Sequence, residues 1–126
     1  MRLLLDTNAL IWTLIRPGRL SKAAAAAIRE PESTVFVSAV SAWELGVIQA
    51  KWRLKFPDDL EAQMDEHGFR PLAVSVPHAL AVESLPKIHG DPFDRMLVAQ
   101  AQMEGLTIVT SDRVMRRYPV AVLPAY

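Results

Sequence analysis

Short apolar, β-prone runs in this chain alternate with stretches of helical periodicity, and no two-residue turn of the Asn-Gly or Asp-Gly kind joins one run to the next. Strands linked through helices return to the same end of a sheet. This order therefore predicts a mainly parallel sheet with helices on both faces, a three-layer α/β/α arrangement. Strands are expected at 3–5, 35–37, 71–76, 107–109 and 121–123. Between them, Asp6, Thr7 and Asn8 turn the chain into a helix reaching Ile15, Ser21 caps a helix over 22–29, and Ser38 or Ser41 caps one that runs to about Ala50. A helix over 58–66 stops at Gly68, Pro77 is the expected first residue of a short one, and Asp91 and Pro92 start another that Gly105 ends. Ser111 or Asp112 caps a last helical turn.

At 126 residues the chain has the size of one domain, 1–126, and its 51% of hydrophobic residues supplies a core. Fourteen Lys and Arg balance fourteen Asp and Glu, so no global positive field draws in nucleic acid, and any such contact must come from local patches. The absence of cysteine excludes disulfides and thiolate metal sites and suits a reducing compartment; the cytoplasm is the expected location. Three leucines before Asp6 are too few for a signal peptide, and the alanine-rich run over 23–28 falls far short of the ~20 residues that cross a bilayer, so no membrane association is expected.

Ligands of open α/β sheets bind beyond the carboxyl ends of strands, where Asp6 and Asp112 follow their apolar runs. Asp94 lies in the first turn of its helix, and Glu44 shares a helix face with Val40, Val47 and Ile48. For the aspartates a capping role competes with function: Asp6 and Asp112 suit N-caps, and Asp91 with Asp94 suits a capping pair around Pro92. Glu44 fits that role poorly. A carboxylate on an apolar stripe needs a partner, and no basic residue lies within one turn of it, so the partner is distant in sequence or a metal. Two like charges ~4 Å apart repel by about 4 kcal/mol at an effective dielectric of 20, so four converging carboxylates call for divalent cations. Hard oxygen donors suit Mg²⁺ or Mn²⁺, and the chemistry implied is metal-assisted phosphodiester hydrolysis.

The segments LLLDTNALIW (3–12), VSAVSAWELGVIQAKWRL (37–54), HGDPFDRMLVAQA (89–101) and TIVTSDR (107–113) resemble, in order and spacing, the four acidic motifs of PIN domains, and among these the VapC toxins of bacterial toxin–antitoxin pairs. The resemblance implies a PIN-like three-layer fold and a Mg²⁺- or Mn²⁺-dependent ribonuclease, usually dimeric and held inactive by a small cognate antitoxin. It carries the four metal-binding and catalytic acids onto Asp6, Glu44, Asp94 and Asp112, leaving Asp91 as a fifth ligand, a supporting group or a cap. Thr7, Asn8 and Ser111 take supporting roles that hold waters or ligands.

Two basic patches are candidates for RNA contact. Lys51, Arg53 and Lys55 are interleaved with Trp52 and Phe56, though the plainer expectation is a solvated helix end whose aromatics pack inward. Arg113, Arg116 and Arg117 stand beside Asp112, where phosphate contact and a surface role weigh equally. His67, His78 and His89 show no ligand spacing and read as structural, with His89 a weak candidate for contact near the site; Arg95 is positioned in sequence to pair with Asp94. Leu10, Ile11, Trp12, Leu14 and Ile15, with Trp43, exceed one helix face and suit either the core or a groove for an antitoxin helix or a dimer partner. Two other classes compete with the nuclease: a phospho-acceptor receiver domain, against which stands the lack of a mid-chain acceptor Asp and a late Lys, and a non-catalytic interaction module whose acids are caps.

Overall fold

In the computed structural model, which describes residues 1–52 and 59–126, the apolar runs become five strands: β1 (Arg2–Leu5), β2 (Thr34–Ser38), β3 (Arg70–Leu72), β4 (Thr107–Thr110) and β5 (Val122–Pro124). They pair in the order β3-β2-β1-β4-β5, every pair parallel. β1 is the oldest strand in sequence and the central one in space. The chain builds outward from it through β2 to β3, then returns to its other side with β4, which opens a crevice at the carboxyl ends of β1 and β4.

Alternate residues of each strand feed opposite faces. Leu3, Leu5, Val35, Val37 and Val109 face one apolar cluster with Ala9, Leu10 and Ala24, whereas Leu4 and Ile108 face a second with Leu97, Val98, Ala101 and Met115. The first cluster is covered by α1 (Thr7–Ile15), α2 (Lys22–Arg29) and α4 (Leu60–His67); the second by α5 (Val76–Glu83) and α6 (Pro92–Glu104), with α3 (Ala39–Trp52) giving Val40 to one and Leu45 to the other. The three layers follow directly from this alternation.

Caps set where the helices begin. Asp6 accepts from the Ala9 N–H, Ser21 from Ala24, and Asp91 from Phe93 and Asp94. At α3 it is Ser38, not Ser41, that accepts a backbone bond, from Val40, while Ser41 is buried. Gly68 and Gly105 end α4 and α6 in the left-handed conformation at φ 72° and 65°. Two expected boundaries move. The third strand spans Arg70–Leu72 rather than 71–76, since Ser75 caps α5 through the His78 N–H, which puts Pro77 at the second helical position. Pro71 is tolerated because β3 is an edge strand. No helix among the described residues is long and apolar enough to cross a membrane.

Candidate active site

The backbone at the end of β1 is tied to its neighbour where Asp6 N–H donates to the Val109 carbonyl at 3.1 Å. Across the same junction Thr110 Oγ1 donates to Asp6 Oδ2 at 2.5 Å, while Ala9 N–H holds the other oxygen at 2.7 Å. Asp6 is 5% exposed. Burial raises its pKa to about 6 against the pull of those two hydrogen bonds, with the charges of Asp112 and Glu44 adding to the rise. The cap and site readings of Asp6 are thus both realised: one oxygen serves the helix and the carboxylate as a whole still faces other acids.

Glu44 reaches the crevice from α3 and accepts a hydrogen bond from Thr7 Oγ1. Burial pushes its pKa up, that hydrogen bond opposes the rise, and the charge of Asp91 adds to it. Its partner is therefore distant in sequence but a neutral hydroxyl, not a counter-ion. The stripe expected beneath it is only partly core, since Val47 is 42% exposed. Thr7, itself buried, also lies 3.3 Å from Ser41 Oγ.

Asp94 projects from the first turn of α6. Burial raises its pKa to about 7, Asp91 adds to the rise, His89 opposes it, and Asp6 and Glu44 add further. Asp112 differs in sign: burial favours a rise, but hydrogen bonds from His89 and the Val114 N–H, together with the His89 charge, bring it below its ordinary value. The crevice thus gathers Asp6, Glu44, Asp94 and Asp112, with Asp91 both capping α6 and close enough to repel Glu44 and Asp94.

The residue that sequence reasoning underrated is His89. Its Nε2 lies 2.7 Å from Asp112 Oδ2 and 3.1 Å from Asp94 Oδ2, so it spans the two acids. Asp91 N–H donates to its Nδ1 at 3.1 Å, which leaves the ring proton on Nε2, aimed at those carboxylates. The Tyr118 hydroxyl accepts from the His89 N–H at 2.7 Å and fixes the loop. A histidine two residues before an Asp-Pro cap was the available signal.

Other expectations are corrected. Arg95 does not pair with Asp94: it donates to the carbonyls of Val82 (2.9 Å) and Pro86 (3.0 Å) and to the Tyr118 hydroxyl (3.3 Å). Successive helical residues point about 100° apart, so the two never shared a face. Ser111 accepts from Tyr126 N–H at 3.0 Å, and Asn8 is exposed. Trp52 does not pack inward; it is 64% exposed with the Lys51 Nζ 5.4 Å from its ring centroid, while Arg53, Lys55 and Phe56 lie outside the described residues. Arg113, Arg116 and Arg117 are exposed. Leu10 is core, Ile11 and Leu14 pack against the core, and Trp12 meets Tyr126 edge-on at 6.4 Å, so α1 spends most of its apolar residues internally. Trp43 stands 66% exposed, edge-on to Phe93 at 4.9 Å.

Among the described residues no lysine or arginine forms an ion pair with any of these acids; the side chain set against Asp94 and Asp112 is His89. Carboxylates with burial-raised pKa values, neighboured by threonine hydroxyls, form a set of hard oxygen donors that no lysine or arginine among the described residues pairs with. That set fits a divalent cation of the Mg²⁺ or Mn²⁺ type. One atom each from His89, Asp94 and Asp112 lies within 4.8 Å of the others, so the two carboxylates are close enough to share a cation beside the His89 N–H that orients them.

The sequence pattern of the PIN domain matches residues 3–121. The chain belongs to the PIN-domain family. This PIN domain is 32% identical over 119 residues to Ribonuclease VapC22 of Mycobacterium tuberculosis, an alignment covering 91% of this chain and 90% of that protein. Its fold is similar to the crystal structure of VapBC2 from Rickettsia felis bound to a promoter DNA fragment, with a TM-score of 0.70 at 14% identity and full coverage of both chains. DNA-bound VapBC from Salmonella typhimurium gives 0.68 at 19%, covering 98% of this chain and 97% of that one. At such identities these structures speak for the fold alone.

Proposed function

We propose that this PIN domain is a metal-dependent endoribonuclease, the toxin of a toxin–antitoxin pair, which hydrolyses RNA phosphodiester bonds with Asp6, Glu44, Asp94 and Asp112 as its metal-binding and catalytic acids. The observation that carries the reading is a crevice of partly or wholly desolvated, mutually repelling carboxylates with which, among the described residues, no lysine or arginine forms an ion pair. The name of the 32% identical relative, a ribonuclease, supports it.

When bound, Mg²⁺ or Mn²⁺ supplies charge to the phosphate oxygens and lowers the pKa of water. The chain's own residues do the rest. Thr110 and the Ala9 N–H fix Asp6; Thr7 fixes Glu44; His89 and the Val114 N–H fix Asp112. Held ionised, these carboxylates orient the attacking water and take up its proton while its oxygen bonds to phosphorus. The bridging P–O bond breaks in line, and the leaving ribose oxygen is protonated from solvent. Arg113, Arg116 and Arg117, exposed after Asp112, meet phosphates flanking the cut, as does Lys51 from α3. The test is incubation of the purified chain with structured RNA: cleavage with Mn²⁺ that stops on chelation is expected, and cleavage that persists in excess chelator would refute the reading.

His89 acts here as a positioning residue. His89→Ala is expected to weaken Mn²⁺ binding about 10- to 100-fold, in the range seen for groups that orient ligands, whereas His89→Gln, whose amide keeps an N–H donor, recovers most of it. Calorimetric Mn²⁺ titration reads both, and equal loss in the two variants points to direct ligation instead.

An antitoxin partner and a homodimer belong to the same reading. Trp43, Val76 and Leu80 are 66%, 71% and 67% exposed on α3 and α5, more apolar surface than solvent favours, and we assign them to the dimer contact. Light scattering is expected to give twice the chain's 14.0 kDa, with Leu80→Glu reverting it to the monomer mass.

A further inference from the structure

The second core cluster holds a chain of polar groups that the proposed chemistry does not use. Ser38 and Gln100 are both fully buried, and Ser38 Oγ donates to Gln100 Oε1 at 2.6 Å. Gln100 Nε2 donates to the Ala73 carbonyl at 3.2 Å and lies 3.4 Å from His78 Nδ1. His78 accepts at Nδ1 from the Ser75 N–H, so its proton is on Nε2, which donates to Glu104 at 2.9 Å. A leucine or methionine at 100 would fill this space without the desolvation cost of a buried amide, and a buried polar pair that adds little stability is instead suited to fixing one packing among several.

Spacing shows which packing it fixes. Ser38, the last residue of β2, caps α3 through the Val40 N–H six residues before Glu44, and Gln100 stands on α6, six residues after Asp94. Six helical residues rise about 9 Å. The Ser38–Gln100 bond thus ties the start of α3 to α6 about 9 Å along each helix from Glu44 and from Asp94, whose charges feel each other across the crevice. Beside the acids, Trp43 and Phe93, each one residue before its acid, meet at 4.9 Å and report on how α6 sits against α3.

We propose that Gln100, with Ser38, is a positioning residue that sets the axial register of α6 against α3 and so holds Asp94 level with Glu44. This rests on the metal site proposed above. A methionine at 100 keeps the volume but releases the register, and displacement on the order of 1 Å is enough to harm a preorganised site.

The test compares Gln100→Met with Leu85→Ala, a truncation in the same core cluster on no element that carries an acid. Gln100→Met is expected to fold and to weaken Mn²⁺ binding about tenfold, while Leu85→Ala loses more thermal stability and binds Mn²⁺ like the unaltered chain. Metal-free crystal structures of both variants give a second reading, with the Trp43–Phe93 contact displaced only in Gln100→Met. An unmoved contact overturns the proposal, as does parallel loss of binding in both variants. If the unaltered chain itself binds no Mn²⁺, the metal site falls, and the crystallographic register still decides the role of Gln100. Should Gln100→Met fail to fold, Ser38→Ala, which removes the same hydrogen bond from the other side, is read by the same two measurements.

Discussion

Asp94→Asn is expected to lower RNA cleavage by on the order of a thousandfold while making the metal-free protein harder to melt. The two effects share one cause. Asp94 titrates at about 7 instead of 3.8 because it is desolvated and faces Asp91, Asp6 and Glu44. At 1.36 kcal/mol per pKa unit, keeping it ionised above neutral pH costs up to about 4 kcal/mol. Part of that cost is shared with the other acids, so a neutral isostere should recover about 2 kcal/mol, on the order of 8 °C for a chain of this size. In the same variant the rise in melting temperature on adding Mn²⁺ should largely vanish, because that rise reports binding to the folded state. Scanning calorimetry and a cleavage assay on one preparation check both. Activity above a tenth of the unaltered chain, or a lower metal-free melting temperature, would count against the arrangement.

A second large effect is expected with pH. Asp6 and Asp94 have folded-state pKa values of about 6 and about 7, both raised from 3.8, and Glu44 moves in the same direction. Between about pH 4 and 7 the folded chain then holds protons that the unfolded chain has released, so metal-free stability falls as pH rises through that window and levels off above it. Asp112, shifted downward, has the opposite sign, and its contribution is lost only as pH falls below about 4. Cation binding requires the ionised carboxylates, so it runs the other way. Melting temperature without metal should drop from pH 5 to 8, the Mn²⁺-induced rise should grow over the same range, and cleavage should climb at least about tenfold per pH unit below 6 and flatten above 7. A metal-free melting temperature that increases steadily from pH 5 to 7.5 would contradict these assignments.

The elements were readable because their signals are local. Ser21, Asp91 and the glycines at 68 and 105 mark helix ends through bonds to residues three or four away, and strand alternation at Leu3, Leu4 and Leu5 survives burial on both faces. Asp6 and Asp112 stood out because they follow apolar runs. What sequence did not disclose depends on contacts across the sheet. Thr110 fell just past the strand expected at 107–109 and drew no role, yet it holds Asp6 over 104 positions of chain; His89 showed no ligand spacing, yet it bridges Asp94 and Asp112. Arg95 was misjudged because adjacency in sequence is separation on a helix. Ser38, which caps α3 in place of Ser41, also donates to Gln100, 62 residues away, a contact no local pattern discloses.

The pairing of the first strand with the fourth has a consequence for synthesis. Asp6 and its hydroxyl clasp Thr110 lie 104 positions apart, so a chain translated only through β3 or α6 holds no finished crevice. On the reading proposed above, a fragment without β4 cannot cut RNA, and the activity becomes available only once β4 has docked beside β1.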